Sequence, residues 1–132
     1  MKIVLCAGVF DLLHVAHIRH LEAARKMGDC LMIGLTDDEH AEKEKRKPIN
    51  SQQERMEMLL ALRCVSQVTL CRNSLDALEQ WLPQIFCKGH DYLEKGLLAA
   101  EIAFCVDHGI EIRHTRENAQ TTSAIIERIR NG

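Results

Sequence analysis

Short continuous apolar runs alternate along this chain with longer stretches whose apolar positions repeat at helical spacing. Ile3-Val4-Leu5-Cys6-Ala7 reads as a buried strand that Gly8 ends. A helix follows from about Val15 to Met27, with Val15, Ile18, Leu21, Ala24 and Met27 as its apolar stripe. Asp11 is placed to cap its start, and Gly28 is the expected C-cap. Cys30 to Leu35 is a second apolar strand, followed by a polar segment that opens at Asp37. That segment runs through the charged tract Glu42 to Lys47 and ends at Pro48-Ile49-Asn50. Ser51-Gln52-Gln53-Glu54 has the form of a capping box and predicts a helix to about Arg63, with Met56, Leu59, Leu60 and Leu62 inward. Val65 to Cys71 is a third strand, and Ser74 to Trp81 a helix stopped by Pro83. Ile85-Phe86-Cys87 is a short fourth strand. A helix from about Lys95 to His108 ends at Gly109, and Ile110 to His114 is the fifth strand. Thr121 or Thr122 caps a last helix through Ile129.

Strand–helix alternation with continuously apolar strands predicts a parallel sheet covered on both faces. The expected fold is therefore α/β, a doubly wound, Rossmann-like sheet of five parallel strands in one domain spanning residues 1–132. Such sheets bind ligands beyond the carboxyl ends of their strands. Polar clusters fall at those ends: Gly8 to His17, Lys88 to Asp91, and Arg116 to Ser123. A glycine turn between a buried strand and a helix start suits phosphate, because backbone N–H groups and the helix dipole point there. His14 and His17 lie three residues apart and project from one face of the first helical turns. Two imidazoles there supply donors for negative charge that grows during reaction.

Composition narrows the function classes. The net charge is −2 and the isoelectric point is near 6.4, so no strong field argues for nucleic acid or a membrane surface. No basic leader precedes an apolar core, and no apolar run approaches about 20 residues, so neither a signal peptide nor a spanning helix is expected. The six cysteines form no C-x-x-C pair. Cys6, Cys30, Cys71 and Cys87 lie in or beside apolar runs, as reduced core thiols in a cytoplasm would. His14 and His17 alone do not make a metal centre, and no protein-built metal site is expected.

The segment GVFDLLHVAH resembles the signature G-x-F-D-x-x-H-x-G-H of the cytidylyltransferase-like nucleotidyltransferases. The resemblance extends over nearly the whole chain. KPINSQQERMEML resembles the stretch leading into the family's second helix, KGHDY its K-G-x-D-Y element, and RENAQTTSAII its closing motif R-T-x-G-x-S-T-T-x-I. Two subfamilies are similar: bacterial heptose 1-phosphate adenylyltransferases and glycerol-3-phosphate cytidylyltransferases. Ala16 and Ala119 stand where the family motifs carry glycine.

The resemblance implies that a phosphate oxygen of an acceptor attacks the α-phosphorus of a nucleoside triphosphate and releases pyrophosphate. His14 and His17 would hold the triphosphate, and one of Lys45, Arg46 or Lys47 would match a mobile cationic loop. Gly8, Val9, Phe10 and Asp11 would supply nucleotide contacts, as would Lys88, Gly89 and Asp91. Arg116, Thr121 and Thr122 would grip the nucleotide phosphates, and Arg55 and Arg63 match arginines that serve the site in the glycerol-phosphate enzymes. Magnesium would be bound mainly through the phosphates. The implied partners are a nucleoside triphosphate, ATP before CTP, a small phosphorylated sugar or polyol, and a second copy of the chain as a homodimer. Plainer readings stand beside these. The tract Glu42 to Lys47 also reads as a solvated loop, Arg55 and Arg63 as exposed helix residues, and Lys88 with Asp91 as a surface turn.

Overall fold

The computed structural model describes residues 1–44, 47–89 and 98–115. Among them the chain order is β1 (Ile3–Gly8), α1 (Val15–Arg25), β2 (Cys30–Thr36), α2 (Asp38–Glu44), α3 (Gln52–Leu60) and β3 (Gln67–Cys71). Then come α4 (Ser74–Trp81), β4 (Ile85–Lys88), α5 (Ala99–His108) and β5 (Glu111–His114). The strands form one sheet in the order β3-β2-β1-β4-β5, every neighbouring pair parallel. The expected doubly wound Rossmann-like α/β fold is therefore present. The chain runs outward from β1 to β3 and returns to β4 on the other side. The carboxyl ends of β1 and β4 thus flank the point where the winding reverses, which is where such sheets open a crevice.

Two cores flank the sheet. On one side Leu21, Ala24 and Leu59 from α1 and α3 pack with Val4, Cys6, Ile33 and Leu35. On the other, Ala77, Leu78 and Cys105 from α4 and α5 pack with Leu5 and Phe86. Near-continuous burial along β1, β2 and β4 is what helices on both faces require of their strands.

Several expectations are corrected in detail. The buried positions of α1 are Ala16, His20, Leu21 and Ala24, while Val15 is 49% exposed. On α3, Arg55 and Leu59 are buried and Leu60 is 51% exposed. The polar segment after β2 contains the helix α2, which no apolar stripe announced. α1 is capped at its end by Lys26 in a right-handed conformation, not by Gly28. Gly28 matters for space instead: a Cβ there would lie 2.7 Å from the Lys2 carbonyl oxygen and 2.8 Å from Val4 Cγ2. The expected helix beginning near Lys95 is described from Ala99, and the last helix, to Ile129, lies outside the described residues.

Gly34 seats α4 on the middle of the sheet, since a Cβ there would lie 2.5 Å from Ala77 Cβ. Two backbones must separate to admit the methyl group. Gly34→Ala should therefore destabilise the fold by about 1–3 kcal/mol, the scale of overpacking a tight core. Urea unfolding measures this, and an unchanged midpoint would show that the helix can shift freely.

Candidate functional site

Beyond β1 the backbone makes a turn that few side chains favour. Phe10 has φ +52° and Leu12 φ +55°, both left-handed, a conformation that costs roughly 1–3 kcal/mol at a non-glycine residue. Three sets of contacts hold it. The Phe10 ring is buried in the core and lies over Gly8, where a Cβ would come within 3.3 Å of it. The Asp11 carboxylate accepts hydrogen bonds from the Ile49 N–H (2.8 Å) and the Asn50 N–H (3.1 Å). The Val9 carbonyl accepts one from Arg55 Nη1 (2.7 Å). Asp11 thus ties two loops together and does not cap the helix as expected. The cap is His14.

At the start of α1 the two histidines satisfy backbone donors reciprocally. His14 is extended (φ −138°), and its Nδ1 accepts from the Ala16 N–H at 3.2 Å. The Nδ1 of His17 accepts from the His14 N–H at 3.3 Å. This is the logic of a capping box, with imidazoles in place of a hydroxyl and a carboxylate. It also sets the tautomer. An Nδ1 that accepts leaves the proton of a neutral ring on Nε2, so each ring has Nε2–H as its donor. The ring centroids are 4.1 Å apart, both side chains are half-buried, and the Phe10 ring meets His17 edge-on at 6.2 Å. Two N–H donors side by side, added to the positive end of a helix, make a place for phosphate.

Beneath the turn lies Arg55, fully buried. Its Nη1 donates to the carbonyls of Val9 and Thr36 (2.7 and 2.8 Å), and its Nε to that of Asn50 (3.1 Å). Its Nη2 meets the Asp38 carboxylate at 2.7 Å. One guanidinium thus joins the turn after β1, the end of β2, the start of α2 and the loop before α3. Beside it, burial would raise the Asp37 carboxyl. Hydrogen bonds from the His40 amide and ring, with the His40 and Arg55 charges, outweigh burial and hold it below the ordinary carboxylate value.

A family model described as cytidylyltransferase-like matches residues 5–128. The chain belongs to the cytidylyltransferase-like family of nucleotidyltransferases. It is 33% identical over 132 residues to the bifunctional protein HldE of Pelobacter propionicus, and 35% identical over 137 residues to that of Helicobacter pylori. These alignments cover 97% and 98% of this chain but only 27% and 28% of those proteins, so the chain spans about a quarter of the relatives it matches. Among solved structures, a lipopolysaccharide core biosynthesis protein from Thermoplasma volcanium superposes with a TM-score of 0.76 at 26% identity, covering 88% of this chain and 97% of that one.

The structure brings only part of the family-derived set together. Gly8, Val9, Phe10, Asp11, His14 and His17 form the turn and helix start just described, and Gly89 follows the end of β4 across the crevice. Ala16, in place of the family glycine, is helical and buried. Three other members of that set are placed away from an open position at the turn or stand elsewhere. Lys88 is 3% exposed, and its ammonium meets Ser74 Oγ at 3.2 Å and the buried Glu101 carboxylate at 3.9 Å, because a buried charge requires such partners. Arg63 is exposed in the turn after α3, which leads to the amino end of β3, so it stands at the opposite end of the sheet from the crevice. Arg55 faces the interior and supports the turn; its surface is not offered to a substrate. Lys45, Arg46, Asp91, Arg116, Thr121 and Thr122, with Ala119, lie outside the described residues. Lys47 is exposed.

Other chemistries find little support among the described residues. No three His, Cys, Asp or Glu side chains converge to hold a metal. No helix is long and apolar enough to cross a membrane. The cysteines form no disulfide, and burial raises the Cys64 and Cys105 thiols; Cys6 is raised further by its hydrogen bond to Cys87. Such thiols are poor nucleophiles.

Arg55→Met keeps the volume but strips buried carbonyls of their donor. It should cost on the order of 3 kcal/mol in urea unfolding, and Arg55→Lys should recover little, since an ammonium cannot span the fork. Full recovery by lysine would reduce Arg55 to a simple charge. The lowered Asp37 carboxyl contributes stability that is present above its unfolded pKa and lost as pH falls through the lower folded value. Asp37→Asn should therefore be less stable than the parent near neutral pH, with the gap closing below about pH 4. A gap independent of pH would remove Asp37 from the linkage.

Proposed function

We propose that the chain joins a nucleoside monophosphate, taken from a nucleoside triphosphate, to a small phosphorylated sugar, with ATP and a sugar 1-phosphate as substrates. The observation that carries this is the pair of imidazoles with Nε2–H donors at the helix start, set at the winding reversal of a parallel sheet. An acceptor phosphate oxygen attacks the α-phosphorus, the bond to the bridging oxygen breaks, and pyrophosphate leaves. Little covalent help is needed; positioning and charge neutralisation dominate. The turn at Val9 to Asp11 and the two Nε2–H groups meet the triphosphate where charge grows. Magnesium, carried on the phosphate oxygens without a protein cage, would neutralise part of that charge. Lys45, Arg46 and Lys47 would close over the crevice, and Arg116, Thr121 and Thr122 would grip the nucleotide. The sugar acceptor is supported by the similarity to HldE proteins and to a lipopolysaccharide core biosynthesis protein. Assembly as a homodimer belongs to the same reading.

A pyrophosphate-release screen of ATP and CTP against sugar 1-phosphates and glycerol 3-phosphate tests it. Turnover should be fastest with ATP and a sugar 1-phosphate. Preference for CTP with glycerol 3-phosphate would reassign the substrate, and nucleotide binding without turnover on any acceptor would make the chain a binding protein. His17→Ala should lower kcat by about 10²-fold, as for loss of one donor to a developing charge, and near-normal activity would remove His17 from the mechanism. Neutralising Lys45, Arg46 and Lys47 together should depress kcat well beyond any rise in nucleotide KM. If only KM rises, these charges bind uniformly.

A further inference from the structure

One buried polar contact ties helix α1 to the chain just past β5. His20 lies one turn beyond His17 on α1, about 4.5 Å further along the axis. It is 6% exposed, and its Nδ1 shares a 2.5 Å hydrogen bond with the hydroxyl of Thr115, itself 2% exposed. Thr115 follows β5, and its N–H donates to the Lys88 carbonyl at the end of β4 (3.0 Å). The contact therefore joins residues 95 apart in sequence, from the helix that follows β1 to the carboxyl ends of β4 and β5.

We propose that His20 and Thr115 are a positioning pair that fixes the width of the nucleotide crevice. The proposal rests on the nucleotidyl-transfer reading above. The other buried side chains of α1, Ala16, Leu21 and Ala24, are aliphatic, and packing alone could hold the helix. A buried imidazole must be hydrogen-bonded to avoid a desolvation cost, and a hydrogen bond, unlike an apolar contact, specifies one distance and direction. The helix whose spacing is set in this way is the one that carries His14 and His17. If its distance from the β4 and β5 ends drifts, each wall can still touch a triphosphate, but both cannot meet it in the transition-state geometry. A misplacement of about 1 Å is enough to cost up to 10²-fold in rate.

The test combines kinetics with backbone amide exchange on the whole chain. Thr115→Val and His20→Phe keep volume and remove the bond. Each should lower kcat about tenfold with nucleotide KM held within about threefold, and Thr115→Ser should restore kcat to within about twofold. The double variant should be no slower than the worse single one, because both break the same link. In His20→Phe the Thr115 amide should exchange about tenfold faster while amides of β2 and β3 are unchanged. Parental kcat in either single variant, multiplied losses in the double, or a serine as slow as the valine overturns the proposal, as does unchanged exchange at Thr115. Should the parent protein release no pyrophosphate with any acceptor, nucleotidyl transfer itself fails, and the exchange result alone decides whether the pair holds the two walls together.

Discussion

The site depends on one buried guanidinium. Arg55 donates to Val9, Thr36 and Asn50 and pairs with Asp38, so the turn after β1, the β2–α2 junction and the loop before α3 converge on one planar fork. A lysine could serve one or two of these acceptors, but the spread over three carbonyls and a carboxylate needs the guanidinium. The net gain from so buried a charge is small, because desolvation offsets most of the attraction. Its larger effect is on geometry. With the turn after β1 held from below by Arg55 and from the side by Asp11, Phe10 and Leu12 keep left-handed backbones that they would otherwise leave.

Strain held in this way has a consequence at the helix start. The turn delivers His14 in an extended conformation, where its ring can cap α1. His17 returns the bond to the His14 N–H, and both Nδ1 atoms are thereby used. The same hydrogen bonds that start the helix therefore choose which nitrogen of each ring carries the proton. Capping, ring orientation and donor placement are one arrangement, so in the proposed reaction phosphate would meet donors already in position, with little reorganisation left.

Much of this was legible in the sequence, and the misses share a cause. Continuous apolar runs at Ile3–Ala7, Cys30–Leu35 and Ile85–Cys87 read as strands covered on both faces, and alternation with helices made the parallel sheet legible. The turn and the two histidines were legible as neighbours at a helix start, where a phosphate site would need them. What failed was the assumption that buried positions are apolar. Arg55 lies four residues before Leu59, and His20 four after Ala16 and four before Ala24, so helical spacing already placed both on inner faces. Counting only apolar residues moved the stripes to Val15 and Leu60, which are exposed. α2 escaped because all its residues but Ala41 are polar; it is fixed by Asp37 accepting from the His40 N–H and by Asp38 on Arg55. Histidine is also an unusual cap, so the start of α1 pointed to Asp11 instead.

The proposed phosphate contacts depend on the protonation of two ring nitrogens. Long-range nitrogen–proton correlation NMR of the His14 and His17 side chains, at a pH where both rings are neutral and with triphosphate titrated in, measures this directly. Both rings should be Nε2–H tautomers in the free protein, with Nδ1 shifted as a hydrogen-bond acceptor, and the Nε2 resonances of both should move when triphosphate is added. A proton on Nδ1 of either ring, or Nε2 resonances indifferent to triphosphate, would contradict the claim that the capping arrangement aims these donors at phosphate.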